Sequence, residues 1–206
     1  MVRQVDKKAY KFDKYCDKDR WASYWNQINE IVKLNPVNVL EVGVGDNVFS
    51  SYIKNNTDIE YTSLDIAEDL RPDIVGDIKN IPIKNNFYNI VCAFEVLEHL
   101  SFEKFEETLR ELSRVSNKYV IISLPHWGRH FSVDIRMPFL KRFKFKYKIN
   151  LFPIRHKFRG QHYWEIGKKG YSLINIKKII KKSGLKIKNN FIVFESPYHH
   201  FFILKK

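Results

Sequence analysis

The chain has 206 residues and a formal net charge of +13, with 44% apolar and 29% charged residues. That length suits one domain with a sizeable core, and the composition excludes a disordered or fibrous protein. Cys16 and Cys92 form no CxxC pair, which argues against a disulfide framework or a zinc site, and no apolar run reaches the roughly 18 residues of a membrane-spanning helix.

The charge is concentrated. Residues 1–125 hold 16 Lys/Arg against 20 Asp/Glu, whereas residues 126–206 hold 20 Lys/Arg against Asp134, Glu165 and Glu195. A neutral first part and a basic second part point to an anionic partner, or to a lysine-rich solvated surface. The first residues, MVRQVDKKAYKF, are charged throughout and do not read as a signal peptide. A cytoplasmic protein is expected.

In chain order, residues 1–36 read as a helical segment whose Tyr15, Trp21 and Trp25 either pack in the core or close over a site. Val37–Val42 is a buried strand that opens into the glycine turn Glu41-Val42-Gly43-Val44-Gly45-Asp46-Asn47. Glycines there let a ligand approach the backbone, or simply make a tight turn. The dinucleotide pattern GxGxxG would need a small residue at position 48, which is Val48, so a pyrophosphate-binding dehydrogenase is disfavoured.

Ile59–Leu64 is the second strand and ends at Asp65, a carboxylate placed to accept hydrogen bonds from a ribose over the glycine turn. Ile74–Val75, Asn89–Phe94 and Tyr119–Leu124 read as three further short strands, the last stopped by Pro125. Ser101–Val115 is an amphipathic helix with Ser101 as N-cap. Tyr171–Ser183 is another, ended by Gly184, and Leu185–Ile192 and Phe201–Leu204 are closing strands. Alternation of short apolar runs with helical patterns is the signature of a parallel sheet covered on both faces.

The stretch VLEVGVGDN, then YTSLDI, then IVGDIKNIPIKNNFYNIVCAFEVLEHL, resembles the class I S-adenosylmethionine-dependent methyltransferases over residues 37–125. The resemblance implies an α/β fold: one doubly wound, Rossmann-like domain with a mostly parallel seven-stranded sheet, its last strand antiparallel, and a basic insertion after strand 5. The single domain over 1–206 would divide into the helical segment 1–36, a cofactor-binding core 37–125, a basic and aromatic lid 126–170, and closing elements 171–206.

Carried over by position, the resemblance places Glu41, Gly43 and Gly45 around the methionine and ribose end of S-adenosylmethionine. Asp65 would hold the ribose, with Ile66 beside the adenine. Asp77 would receive the adenine amino group, with Ile78 donating its N–H. Phe94 and Glu95 would line the methionine side, and S-adenosylhomocysteine would be the product. Asn47 stands where the family usually has a third glycine, and Asn89 where an aspartate often precedes the fourth strand.

The acceptor is expected beyond the fifth strand. In Pro125-His126-Trp127-Gly128-Arg129-His130 and Gln161-His162-Tyr163-Trp164-Glu165, imidazole can act as a base near neutral pH. His126 is the first catalytic candidate by position and His162 the second, with hydrogen-bonded packing as the competing reading. His99 reads as structural or cofactor-adjacent, and no metal ligand set is expected.

From Arg142 to Ile149 apolar and basic residues alternate, so a strand puts Phe143, Phe145, Tyr147 and Ile149 on one face. That is either a lid over the core or a patch for anionic lipid or nucleic acid. Arg129, Arg136, Arg155 and Arg159 are candidates for holding an acidic substrate.

The leading expectation is methyl transfer to a small or lipid-linked, anionic acceptor, without an obligate protein partner. Residues 126–206 would meet an anionic surface, such as the inner face of the membrane. The alternatives are a basic nucleic-acid-binding protein or RNA methyltransferase, and a cofactor-binding protein without turnover. Neither a (D/N/S)PP(Y/F) sequence nor a Pro-Cys nucleophile marks a base methyltransferase.

Overall fold

The fold, a computed structural model, describes residues 7–139, 141–149 and 151–206; the N-terminal reading of residues 1–6 lies outside them. The strands are β1 (Asn38–Val42), β2 (Glu60–Asp65), β3 (Ile74–Val75), β4 (Tyr88–Phe94), β5 (Ser116–Pro125), β6 (Arg129–Ile135), β7 (Phe143–Ile149), β8 (Lys186–Ile192) and β9 (His199–Lys205). Seven form one sheet in the order β3-β2-β1-β4-β5-β9-β8, and β6 and β7 form a separate hairpin. β1 to β5 pair in parallel, while β9 runs antiparallel to both β5 and β8. The doubly wound sheet with its antiparallel last strand is therefore present.

Strand alternation sends side chains to two cores. Ile90, Cys92 and Phe94 of β4 join Ile31 of α2 (Lys18–Val32) and Phe49 and Ile53 of α3 (Val48–Asn56). Val91 and Ala93 face the opposite side, against Leu109 and Leu112 of α4 (Phe105–Val115) and Ile176 and Ile180 of α5 (Leu173–Lys182). Helices on both faces explain why these strands are almost wholly apolar. Ahead of α2 the chain makes a single helical turn, α1 (Phe12–Tyr15).

The sequence departures have structural reasons. Asn47 caps α3 with φ +64°, the left-handed geometry that asparagine tolerates. At the opposite end of the sheet Asn89 accepts from the Val37 N–H at 2.8 Å and donates to Asn117 at 3.2 Å, tying three segments together. Ser101 does not cap the long helix: Phe102–Lys104 form a 3-10 turn, and α4 begins at Phe105. Phe102 is drawn instead into a ring cluster with Trp164 and Tyr171.

β9 begins earlier than the apolar run suggests, because His199 and His200 pair with Pro125 and Leu124 and are buried. The expected apolar stripe on β7 exists, but it faces outward. Phe143 is 56% exposed and Tyr147 61%, so the hairpin does not bury that face against the core.

After β1 the chain turns at Gly43, whose N–H bonds the Leu64 carbonyl at 2.8 Å. Gly43 has φ +85°, and a Cβ there would stand 2.4 Å from Val96 Cγ2; at Gly45, φ +52°, a Cβ meets nothing closer than Tyr10 at 3.8 Å. Both positions strain an L-residue, by about 1–2 kcal/mol, but only Gly43→Ala also displaces the β-branched Val96. We expect Gly45→Ala to lower Tm by about 2–4 °C and Gly43→Ala to lower it at least twice as far in a thermal melt. Equal shifts would reject the close-approach reading.

Candidate functional site

The carboxyl ends of β1, β2 and β4 open onto a cavity of about 560 Å³. Gly43, Gly45, Asp65, Ile66, Asp77, Ile78, Phe94 and Glu95 all line it, so eight of the nine residues carried over from the resemblance meet at one place. Asp65 accepts from the Val44 N–H at 2.9 Å and the Ala67 N–H at 2.8 Å. Each oxygen thus anchors a backbone turn and retains a further lone pair toward the cavity. Asp77 is held by the Lys79 N–H at 2.9 Å and a salt bridge to Lys79 at 3.2 Å.

The N-terminal segment forms the outer wall. Tyr10, Lys14, Tyr15 and Arg20 line the cavity, and the Tyr24 hydroxyl of α2 bonds the Asp46 carboxylate of the glycine turn. Burial raises the Tyr10 and Tyr15 hydroxyls above their ordinary pKa, Tyr15 to about 12, so both stay protonated donors. Trp21 and Trp25 are 52% and 63% exposed, and of the three aromatics read from the sequence Tyr15 alone closes over the site. Tyr10 and Arg20 carry no motif that would have singled them out.

The far wall comes from two segments distant in sequence. After β4, Leu97–His99 make a 3-10 turn. The segment around His162 is pinned onto it: the Tyr163 N–H donates to the Glu98 carbonyl at 2.8 Å, and His99 Nδ1 bonds the Gln161 carbonyl at 3.1 Å. Trp164, fully buried against Phe102 and Phe105, donates its Nε1–H to the Leu100 carbonyl at 3.1 Å.

His99, His162, Tyr198 and His199 therefore line the cavity beside Glu95, with Glu98 fully buried behind them. Burial drives the Glu95 carboxyl up to about 7 and Glu98 well above its ordinary value, with Glu95 adding to the latter. Burial lowers His99 to about 4 and His199 to about 3.

His126 is not in this wall. It is 7% exposed, stacks on His200 with Nδ1 to Nδ1 at 2.9 Å, and its carbonyl accepts from Lys148. Its N–H donates to the Tyr198 carbonyl at 2.7 Å and it bridges Ile166, so the candidate expected by position packs beside β9 rather than in the cavity. Burial, followed by the Lys148 charge, holds it neutral at about 3. Arg129, Arg136, Arg155 and Arg159 are exposed and do not line the cavity.

Glu41 is the carried-over residue outside the cavity. Its odd position on β1 turns it to the α3 face, where the Tyr61 hydroxyl donates to it. At 3% exposure, desolvation lifts its carboxyl from 4.5 to about 8, against the lowering effect of that hydrogen bond. A raised folded pKa means that the native state holds an extra proton between pH 4.5 and about 8, so this stability is full below 4.5 and is lost as pH rises to 8. Glu41→Gln should flatten that loss, whose slope approaches about 1.4 kcal/mol per pH unit, in denaturant unfolding at pH 5, 6.5 and 8. Parallel curves for variant and parent would contradict the assignment.

Residues 40–124 match the family model described as a methyltransferase domain. No curated protein matches the chain in sequence. Among solved structures, an S-adenosylmethionine-dependent methyltransferase from Aquifex aeolicus aligns with TM-score 0.61 at 15% identity, covering 98% of each chain. One from Clostridium acetobutylicum aligns with TM-score 0.62 at 12% identity, covering 97% of each. Magnesium protoporphyrin IX methyltransferase from Synechocystis, solved with bound S-adenosylmethionine, aligns with TM-score 0.59 at 13% identity, over 91% of this chain and 80% of that one. The matched segment carries the glycine turn and the acidic strand ends that build the cavity, so the chain carries a methyltransferase domain over residues 40–124, on the fold of the S-adenosylmethionine-dependent methyltransferases.

Proposed function

We propose that the enzyme methylates a small, anionic, lipid-linked acceptor that it meets at an anionic membrane surface. S-adenosylmethionine is its methyl donor. The cavity fits the donor: its volume of about 560 Å³ lies within the roughly 300–1,000 Å³ of small-molecule sites, and the glycine turn lines it through Gly43 and Gly45. Asp65 faces it where a ribose would rest, and Asp77 where an adenine amino group would. When bound, the cofactor supplies an electrophilic methyl group on a sulfonium. The protein's part is to hold an acceptor oxygen, nitrogen or carbon in line with it. His162 is the pocket-lining candidate on the acceptor side, and Tyr10, Tyr15 and Arg20 line it from the N-terminal segment.

The observation that carries the lipid-linked acceptor is the inverted hairpin. Phe131 pairs with Tyr147, Val133 with Phe145 and Ile135 with Phe143 on its outward face. On the inward face Lys144 meets Glu195, Lys146 meets the Phe194 carbonyl and ring, and Lys148 donates to the His126 and Pro197 carbonyls. Phe139, Leu151 and Phe152 extend the exposed apolar surface, at 106%, 76% and 84%. Besides these three lysines and Arg142, which pairs with Asp134, residues 126–160 expose Arg129, Arg136, Lys141, Arg155, Lys157 and Arg159. An aromatic face with a cationic rim matches an anionic interface, where rings enter the headgroup region and basic residues meet lipid phosphates.

Two measurements test this reading. Titration calorimetry with S-adenosylmethionine should show at least tenfold weaker binding for Asp65→Asn, about 1.4 kcal/mol, and unchanged affinity in a folded variant would refute the ribose assignment. Sedimentation with phosphatidylglycerol vesicles should pull down the parent chain, and not the Phe143→Ser/Phe145→Ser variant. Phosphatidylcholine vesicles should pull down neither. Binding to RNA with a steep salt dependence, and none to vesicles, would move the acceptor to nucleic acid.

A further inference from the structure

The acceptor wall contains a buried acidic group that its neighbours do not satisfy. Glu98 is 0% exposed, and neither of its carboxylate oxygens has a hydrogen-bond partner among the described residues; Oε1 of the neighbouring Glu95 is in the same situation. Buried polar atoms are nearly always paired, and a bare buried carboxylate is among the most costly groups to leave so. One potential ligand atom from each of Glu98, His99 and His162 lies within 4.8 Å of the others. The two imidazoles meet edge to face with centroids 5.1 Å apart. His162 turns Nε2 toward Glu98 Oε1 at 3.9 Å.

Both rings are oriented from behind. His99 Nδ1 bonds the Gln161 carbonyl at 3.1 Å. His162 Nδ1 faces Glu165 Oε1 at 3.5 Å and the Tyr198 hydroxyl at 3.4 Å. A carbonyl or carboxylate on the rear nitrogen of a histidine is the arrangement that fixes its tautomer and presents the other nitrogen to a metal.

We propose that Glu98, His99 and His162 bind a divalent first-row cation, Mn²⁺ or a close relative, on the acceptor side of the methyl-donor pocket. A set of one carboxylate and two imidazoles without thiolate selects such ions over calcium or soft metals. Three protein ligands leave coordination positions open, and His99 and His162 both line the cavity, so those positions face the space for the acceptor. Hydroxyl, carboxylate or phosphate oxygens of an anionic acceptor are the groups that would complete the shell. The cation would then orient the acceptor and lower the pKa of a bound hydroxyl. That role rests on the acceptor reading above, whereas the binding site does not.

Mn²⁺ titration of the full chain, without cofactor or acceptor, followed by the electron paramagnetic resonance signal of free ion, should show one saturable site. Glu98→Gln and His162→Asn should each weaken it by about tenfold or more. His130→Ala, on the hairpin, should leave it unchanged. Retained S-adenosylmethionine binding in the variants would show that they fold. No saturable binding of Mn²⁺, Co²⁺ or Zn²⁺, or equal affinity in folded Glu98→Gln and His162→Asn, would overturn the proposal. Since vesicle binding is read separately, either conclusion can fail alone.

Discussion

Burial of the parallel sheet on both faces is the constraint from which the rest of the molecule follows. With Ile31, Phe49 and Ile53 on one side and Leu109, Leu112 and Ile180 on the other, polar side chains within the strands have few places to go. Asp65 and Glu95 stand at or just past strand ends, where the two cores part, and at Asp65 the turns supply N–H groups to the carboxylate. Glu41 is the exception, one residue inside its strand, and burial raises its pKa accordingly. The carboxyl edge therefore collects the ionisable groups, as in other open α/β sheets.

A second constraint places the far wall. Trp164 has more apolar surface than a loop residue needs, and it spends that surface in the gap beside α4, against Phe102 and Phe105. Its indole N–H finds the Leu100 carbonyl, so the ring is fixed in rotation as well as depth. His162 and Glu165 flank this anchor in sequence and are carried with it to Glu98 and His99. A residue that looks like core packing thus sets the position of the polar groups around it.

The sheet was legible because a parallel strand buried on both faces leaves an unmistakable apolar run, and VLEV, NIVCAF and YVIISL each occupy a strand. The cofactor end was legible because its residues lie on short turns directly after those runs. The acceptor wall was not. In the sequence His126 ranks ahead of His162 by position, and only the packing of Trp164 and the pairing of β9 reverse that order, both being contacts across 64 or more residues. Tyr10 and Arg20 were hidden for the same reason. The Glu98, His99, His162 set was hidden as well, because its members lie on two segments joined only by folding.

The hairpin poses the remaining problem of energetics. An alternating strand laid over a core normally buries its apolar stripe and solvates its lysines, which lose little because their stems are flexible. Here burial lowers the Lys148 ammonium to about 8 while Phe143, Phe145 and Tyr147 stay in water. Turning the hairpin over would relieve both costs, yet the inward lysine contacts to Glu195 and to the carbonyls of Phe194, His126 and Pro197 hold it in this sense. Contiguous exposed aromatic surface of that kind marks a face that is covered in use. On the reading proposed above, a lipid surface would cover it without requiring a complementary shape, and the exposed Arg129, Arg136, Lys141, Arg155, Lys157 and Arg159 would supply the attraction that a neutral lid lacks. The hairpin follows β5 after three residues, and its inward lysines bond the carbonyls of His126, Phe194 and Pro197, so its orientation is tied to the segments that flank β5 and β9.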